Sequence, residues 1–411
     1  MTLSTEGRLL HACTRAQIDT AAMVQIDIAL QEREGLDWAY LKRMALNHRV
    51  FPLLYNGIRR VAESAVPPAV LAEWQADVQV NAVSQEKCQA AMLEALAVLE
   101  CEGIIAVPFK GVTFALFVYG DLALRRTGDI DLLVRPSDFI KARDLLIRNG
   151  YSQYYFGHAE VSTVQGTLMH SEKPLSIDLH YALTPYYQHT NMDQAQHGSR
   201  LANRRRNRID RDSTHWFFSL DCETLWRRLG SLTIANRPVP IFSLEDLLLV
   251  ATINGIKENW RMLVRVSDIA DLVRTHPEMN WDLVFGQVSA MGFERKFELG
   301  MLLAHDLCGM PLPNEISRRI AVSATVRSLA HQMRRRFCSD TFDVDVEEFR
   351  LLCSIYTMDS FRDRAWYFVY ILRRLRQWSF HPSRNLAFFW NLLWQIGLSM
   401  MEVTRDWARD L

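Results

Sequence analysis

The sequence has no excess charge of either sign, since 47 Lys and Arg stand against 47 Asp and Glu in 411 residues. A polycationic chain that wraps nucleic acid is therefore excluded, and phosphate binding must come from local groups of cations. The seven cysteines are odd in number and form no Cys-x-x-Cys pair. This spacing argues against a disulfide framework or a structural zinc site and indicates a reducing compartment.

Long apolar segments are also missing. The most apolar run, residues 386–401, is shorter than the ~20 residues that a membrane-spanning helix needs, and Asn391, Gln395 and Ser399 interrupt it. The first residues lack the apolar core of a signal peptide. We therefore expect a cytoplasmic protein without a membrane span.

Two carboxylates stand out in the segment Gly128-Asp-Ile-Asp-Leu-Leu-Val134, which has the pattern of a strand. Side chains alternate along a strand, so Asp129 and Asp131 lie on one face while Ile130 and Leu132 lie on the other. Neighbouring carboxylates raise each other's pKa unless a cation compensates them, and hard oxygen ligands suit Mg²⁺. The pattern predicts a metal-binding strand.

A third carboxylate follows in Leu175-Ser-Ile-Asp-Leu-His180. Here Asp178 and His180 share the polar face, opposite Ile177 and Leu179. If this strand lies beside the first, three aspartates converge and could hold two cations. Such a site suits nucleotidyl transfer, in which charge develops on the α-phosphate and on the leaving pyrophosphate. Asp178 could also accept the proton of an acceptor hydroxyl.

Around these strands we expect an α+β fold in which a small mixed sheet lies between two helical regions. Residues 1–100 are predicted to be an N-terminal helical region. Residues 101–240 are predicted to be the core, with an Arg-rich loop at 185–215, and residues 241–411 a C-terminal helical region. The core pattern is a strand near 103–109, a helix at 138–148 capped by Ser137, and a hairpin from 162–169 and 175–183. After the loop, only helices are expected.

The run Phe109-Lys-Gly, then Tyr119-Gly-Asp, Arg125-x-x-Gly-Asp-Ile-Asp-Leu-Leu-Val and Ile177-Asp-Leu-His resembles the uncharacterised nucleotidyltransferase family of bacteria, within the DNA polymerase beta-like superfamily. The resemblance covers most of residues 35–310. It implies a nucleotidyltransferase core whose carboxylates are Asp129, Asp131 and Asp178. Asp268 also matches an aspartate of the family, eight residues after Trp260. Related sequences often carry two histidines four residues apart before that tryptophan, where this chain has Asn254 and Glu258.

Four further residues are candidates for binding the nucleotide. Lys110 and Gly111 occupy the place of the superfamily's Gly-Ser or Gly-Gly turn, where Lys110 would supply charge and the backbone N–H groups near Gly111 would contact phosphates. The alternative for Lys110 is a lysine at a strand end. Arg125 could contact phosphates or form a structural salt bridge. His180 could line the site or be a hydrogen-bonded structural histidine.

An arginine cluster is the remaining candidate for a binding surface. It could bind RNA or an acidic acceptor, but a solvated loop is the commoner outcome for such a charge run. Its members are Arg200, Arg204, Arg205, Arg206, Arg208 and Arg211.

We therefore predict an enzyme, a Mg²⁺-dependent nucleotidyltransferase with two ions, for which Mn²⁺ could substitute. It would transfer a nucleoside monophosphate, with AMP favoured, from an NTP to a hydroxyl or phosphate on a small molecule, peptide, protein or RNA. The first alternative is a catalytically inactive nucleotidyltransferase-like binding or scaffold protein. The second is a metal-dependent glycosyltransferase using Asp-x-Asp, which usually has a longer doubly wound domain before that motif.

Overall fold

The computed structural model describes residues 4–31, 35–156, 165–170, 175–183, 220, 222–337 and 357. The arginine cluster predicted between residues 200 and 211 lies outside the described residues. So does all of the chain after residue 337 except Thr357.

Among the described residues, five α-helices precede the sheet, and local sequence explains where several begin. They are α1 (Thr5–Cys13), α2 (Thr20–Gln31), α3 (Trp38–Asn47), α4 (Phe51–Ala62) and α5 (Pro68–Glu100). The side chains of Ser4 and Asp37 accept hydrogen bonds from the first turns of α1 and α3. Prolines occupy the first turns of α4 and α5, where a missing N–H costs nothing. The helical N-terminal region is thus confirmed in its secondary structure.

A mixed five-stranded sheet follows, in the order β1-β2-β5-β4-β3. Its strands are β1 (Ala106–Pro108), β2 (Asp129–Val134), β3 (Tyr151–Phe156), β4 (Gln165–His170) and β5 (Ser176–His180). Strands β2 and β5 are parallel neighbours, which is the adjacency that the predicted convergence of the carboxylates required, whereas the other pairs are antiparallel. A short helix α6 (Gly111–Phe114) continues as a π-helical segment over Ala115–Tyr119, and α7 (Phe139–Arg148) joins β2 to β3.

Two details of the predicted core are wrong. Ser137 does not cap α7: Asp138 precedes the helix, and no side chain caps its first turn. The region after the loop is not helical throughout, because β6 (Gly230–Ile234) and β7 (Arg237–Ile241) form an antiparallel hairpin. Pro238 and Pro240 would break a helix there, and the left-handed residues Ala235 and Asn236 make the turn.

The other described helices follow the order α8 (Cys222–Arg227), α9 (Leu244–Lys257), α10 (Leu263–Thr275), α11 (Trp281–Met291), α12 (Glu294–Cys308), α13 (Asn314–Val322) and α14 (Ala324–Phe337). Ser243 caps α9, since its hydroxyl accepts the N–H of Asp246 at 3.3 Å. Within the described ranges, no helix combines the length and the apolar character that crossing a bilayer requires.

Two hydrophobic cores fix the orientation of the sheet. Ile130, Leu132 and Val134 point into a core shared with α5, α7 and the β6–β7 hairpin. Leu133, on the opposite face, joins a larger core in which the N-terminal helices pack with α9 to α14. Asp129 and Asp131 share the face of Leu133 because side chains alternate. The α+β fold is confirmed, and it turns the acidic face toward the helical body.

Candidate active site

The site is centred on two carboxylates that pair across parallel strands. The register places Asp131 beside Asp178 and Leu133 beside His180. Asp131 is 6% exposed and His180 is 1% exposed, whereas Asp178 is half-buried. Apolar residues on the opposite face pack into a core and hold β2 and β5 in place. The strand pairing alone therefore brings the polar residues together.

One oxygen of Asp131 receives two contacts. Lys110 Nζ lies 2.7 Å from Oδ1, and His180 Nε2 lies 3.0 Å from the same atom. The second ring nitrogen of His180, Nδ1, is buried and finds no hydrogen-bond partner within the described part of the chain. The ring packs edge-on against Phe109, with 5.1 Å between centroids. Lys110 and His180 therefore both contact Asp131, while their roles in binding the nucleotide stay predictions.

Asp178 is held by a neighbouring strand. The Thr167 hydroxyl on β4 donates to Asp178 Oδ1 at 2.7 Å. This hydrogen bond fixes the carboxylate rotamer and leaves lone pairs on the other oxygen for a further ligand.

Asp131, Asp178 and His180 fit a divalent cation. Each offers one ligand atom, and these atoms lie within 4.8 Å of one another. Two carboxylate oxygens suit Mg²⁺ or Mn²⁺, and an imidazole nitrogen adds affinity for transition metals. Asp129 is exposed at the start of β2 and does not belong to this group. The three aspartates share one face, but only Asp131 and Asp178 meet in the cluster.

Burial and neighbouring charge separate the protonation behaviour of the three aspartates. Burial favours a raised pKa at Asp131, but Lys110 and His180 outweigh it and hold the pKa well below its usual range. Loss of hydration at the carboxylate, reinforced by repulsion from Asp131, raises the pKa of both Asp129 and Asp178, although part of the Asp129 surface stays exposed at the start of β2. The arrangement therefore holds one firmly ionised carboxylate beside two that a cation would help to ionise.

Burial also determines the charge of His180. It lowers the pKa of the ring to about 4, although Asp131 opposes the shift. The histidine is therefore neutral at pH 7. A carboxylate only accepts hydrogen bonds, so without a bound cation the neutral ring donates Nε2–H to Asp131 and keeps its lone pair on Nδ1. Ligation of a metal through Nε2 would require the opposite tautomer.

The Lys110-Gly111 turn has a backbone that requires glycine. Gly111 adopts φ +57°, and a Cβ there would lie 2.7 Å from Cγ2 of Thr127. Both the left-handed conformation and the close approach exclude larger residues. This turn brings Lys110 to Asp131, while the phosphate contacts of Lys110 and Gly111 stay predictions.

Arg125 forms the structural salt bridge that was the alternative to phosphate binding. Its Nε and Nη2 donate to the two oxygens of Asp268 at 2.9 and 3.0 Å, and both side chains are buried. The Tyr119 hydroxyl donates to Asp268 at 2.8 Å. These bonds attach the turn before β2 to helix α10. A phosphate contact by Arg125 stays a prediction.

Sequence reasoning missed a second lysine near the aspartates. Lys257, the last residue of α9, donates to the Leu183 carbonyl at 2.6 Å, just after β5. Burial, followed by repulsion from Lys110, lowers its pKa to about 8. Its position 77 residues beyond the nearest predicted site residue left no pattern in the sequence to indicate it.

Comparison with known proteins agrees with this geometry. A family model described as "Uncharacterised nucleotidyltransferase" matches residues 34–309. The match spans the N-terminal helices from α3, the whole sheet and the helices through α12, so the chain belongs to this family. No curated protein and no solved structure gave a significant match.

Proposed function

We propose that this member of the uncharacterised nucleotidyltransferase family is an active enzyme that transfers a nucleoside monophosphate, with AMP favoured, from an NTP to an acceptor hydroxyl or phosphate. The observation that supports the proposal most is the cluster of Asp131, Asp178 and His180 within 4.8 Å of one another. It lies beside Asp129 in the part of the chain that matches the family.

Asp131 and Asp178, with His180, would hold a divalent cation, and Asp129 would complete a second position. We favour Mg²⁺, with Mn²⁺ as an alternative because of the imidazole. Bound there, the metal supplies positive charge to phosphoryl oxygens and aligns the attacking and leaving groups.

The protein's own groups would then perform the remaining steps. Lys110 would leave Asp131 when the cation binds and contact a phosphate oxygen, since an ammonium group is a mobile point charge. Asp178 has a raised pKa, which suits a group that accepts a proton from the acceptor hydroxyl. The N–H groups at the start of α6 would contact phosphates.

The acceptor is the open part of the proposal. A small molecule, a peptide, a protein side chain or an RNA end each offers the hydroxyl or phosphate that the chemistry needs. RNA binding would use the arginine cluster at 200–211, which lies outside the described residues.

The test is incubation of purified protein with each α-labelled NTP, Mg²⁺ or Mn²⁺, and a cell extract. We expect label to transfer to one class of acceptor, and expect Asp131→Asn to abolish transfer. A matched control is Asp27→Asn, on the exposed face of α2. Nucleotide binding without transfer in any extract would favour the scaffold alternative, and absence of both would refute the proposal.

A further inference from the structure

Two side-chain amides of helix α5 hold the segment that leads into β2. Asn81 Nδ2 donates to the Ala123 carbonyl at 2.9 Å, and Gln85 Nε2 donates to the Thr127 carbonyl at 3.2 Å. The two donors are four residues apart on the helix, so they lie on one face. Their acceptors are also four residues apart in the chain. The segment is therefore attached to α5 at two successive points.

The second of these bonds lies next to the candidate site. Thr127 precedes Asp129 by two residues, and its Cγ2 fills the space that a Cβ on Gly111 would need. The Asp129 carbonyl oxygen lies 3.5 Å from the same point. Gly128 and Asp129 are exposed, and the space beside Gly128 is open. Thr127 is thus the last buried residue before β2 begins, and it packs against the turn that carries Lys110.

The contribution of Gln85 to folding does not explain why a glutamine stands there. The residue is 1% exposed, and its Oε1 finds no hydrogen-bond partner in the described part of the chain. A buried acceptor without a partner offsets the stability that one amide–carbonyl bond contributes. A methionine at this position would leave the Thr127 carbonyl unpaired instead of Oε1. The two side chains should therefore support the fold about equally.

We propose that Gln85 is a positioning residue of the active site. Through the Thr127 carbonyl it sets the direction in which the backbone enters β2, and with it the place of the Asp129 carboxylate relative to Lys110 and Asp131. Gln85 itself touches neither cation nor nucleotide. This inference rests on the proposed function, in which Asp129 completes a second cation position. A displacement of about 1 Å at a reacting centre is enough to lower a rate by roughly 100-fold.

The chain offers a matched pair of variants, Gln85→Met and Asn81→Leu. Each removes one amide–carbonyl bond between α5 and the same segment, but the Asn81 bond ends at Ala123, six residues before Asp129. In either variant the other amide and the buried ion pair of Arg125 still hold the segment. Both melting temperatures should therefore stay close to that of the wild type.

Two measurements on the full chain separate positioning from folding. The first is binding of Mn²⁺ alone, followed by electron paramagnetic resonance, and the second is transfer of label from an α-labelled NTP. We expect Gln85→Met to weaken Mn²⁺ binding roughly 10-fold or more, as loss of a group that orients a metal ligand does, and to lower transfer at saturating nucleotide. Asn81→Leu should change neither.

The remaining outcomes each decide against the inference. Equal losses in Gln85→Met and Asn81→Leu would show general support of the segment rather than a role specific to Gln85. A Gln85→Met protein that melts well below Asn81→Leu would assign Gln85 a structural role. Unchanged Mn²⁺ binding and transfer in Gln85→Met would overturn this inference and leave the proposed function standing. A wild type that neither binds Mn²⁺ nor transfers label would overturn both.

Discussion

Asp131 and Asp178 pair directly across the parallel strands β2 and β5, and among the described residues only Asp131 forms an ion pair with a lysine or arginine. Lys110 contacts Asp131, whereas the hydrogen bond to Asp178 comes from the neutral hydroxyl of Thr167. Once Asp178 ionises, the pair carries more negative charge than its described hydrogen-bond partners offset. A divalent cation is the ligand that this relationship favours.

Replacing a carboxylate by an amide tests the metal site directly. Asp131→Asn and Asp129→Asn should each lower nucleotidyl transfer by roughly 100-fold or more, because a charged ligand is lost from the reacting centre. Asp129 is exposed, so its variant should unfold like the wild type, whereas Asp131→Asn leaves Lys110 without its partner and should be less stable. Turnover and urea unfolding measure the two effects. Wild-type transfer by either variant would contradict the assignment.

Lys110→Ala should weaken nucleotide affinity more than it lowers stability, because Lys110 is 20% exposed at the edge of the site. It should also raise the pKa of Asp131, since Lys110 is the foremost of the groups that lower it. Calorimetric titration with nucleotide and thermal unfolding give the comparison. Lys141→Ala, at the exposed ion pair with Glu102, is the control. An unchanged nucleotide dissociation constant would assign Lys110 a structural role.

The pair of Arg125 and Asp268 should behave as one unit in unfolding experiments. Removing one partner leaves a buried charge unpaired, so Arg125→Met or Asp268→Leu alone should lower the free energy of unfolding by about 3–5 kcal/mol. The loss of unfolding free energy in the double variant should be much smaller than the sum of the losses in the two single variants. Arg318→Met removes an exposed ion pair with Glu315 and should change the free energy of unfolding by less than about 1 kcal/mol. Additive losses at Arg125 and Asp268 would show that the two side chains are uncoupled.

His48 should make the protein less stable in acid. Burial, and then His11, lowers the pKa of His48 to about 3. Below the ordinary value of about 6.5 the unfolded chain binds a proton that the folded chain excludes. The stability that His48 contributes is therefore complete above that value and declines as the pH falls toward 3, by about 1.4 kcal/mol per pH unit.

The variant His48→Asn keeps an acceptor for the Leu263 N–H but does not titrate in this range. Its free energy of unfolding, measured in urea at pH 6, 5 and 4, should therefore decline less steeply than that of the wild type. The exposed His331→Asn is the control. Equal slopes for wild type and His48→Asn would show that His48 is protonated in the folded protein.

The sequence was informative where chemistry is local. Alternation along 129–134 and 176–180 predicted the strands, their shared polar face and the position of His180, because the period of a strand is a property of the backbone. The N-terminal region lacks glycine and proline over 69–100, and its helix formed as expected. The hairpin β6–β7 was missed because it is short and lies among helices, although Pro238 and Pro240 marked it.

Contacts between distant segments could not be predicted in the same way. Arg125 and Asp268 are 143 positions apart, and the sequence alone left a phosphate contact and a salt bridge equally open. Lys257 comes beside the end of β5 through helix α9, whose packing depends on the complete core. Which of two aspartates on one face is buried is likewise decided by neighbouring elements rather than by the period of the strand.

The larger hydrophobic core has a practical consequence for anyone who wishes to shorten the protein. Helices before residue 63 and helices after residue 243 pack together in this core. The buried ion pair of Arg125 and Asp268 joins the turn before β2 to α10. An excised fragment of residues 101–240 would keep the aspartates but lose Lys257 and Asp268, the partner of Arg125. The smallest piece worth expressing therefore contains both helical flanks.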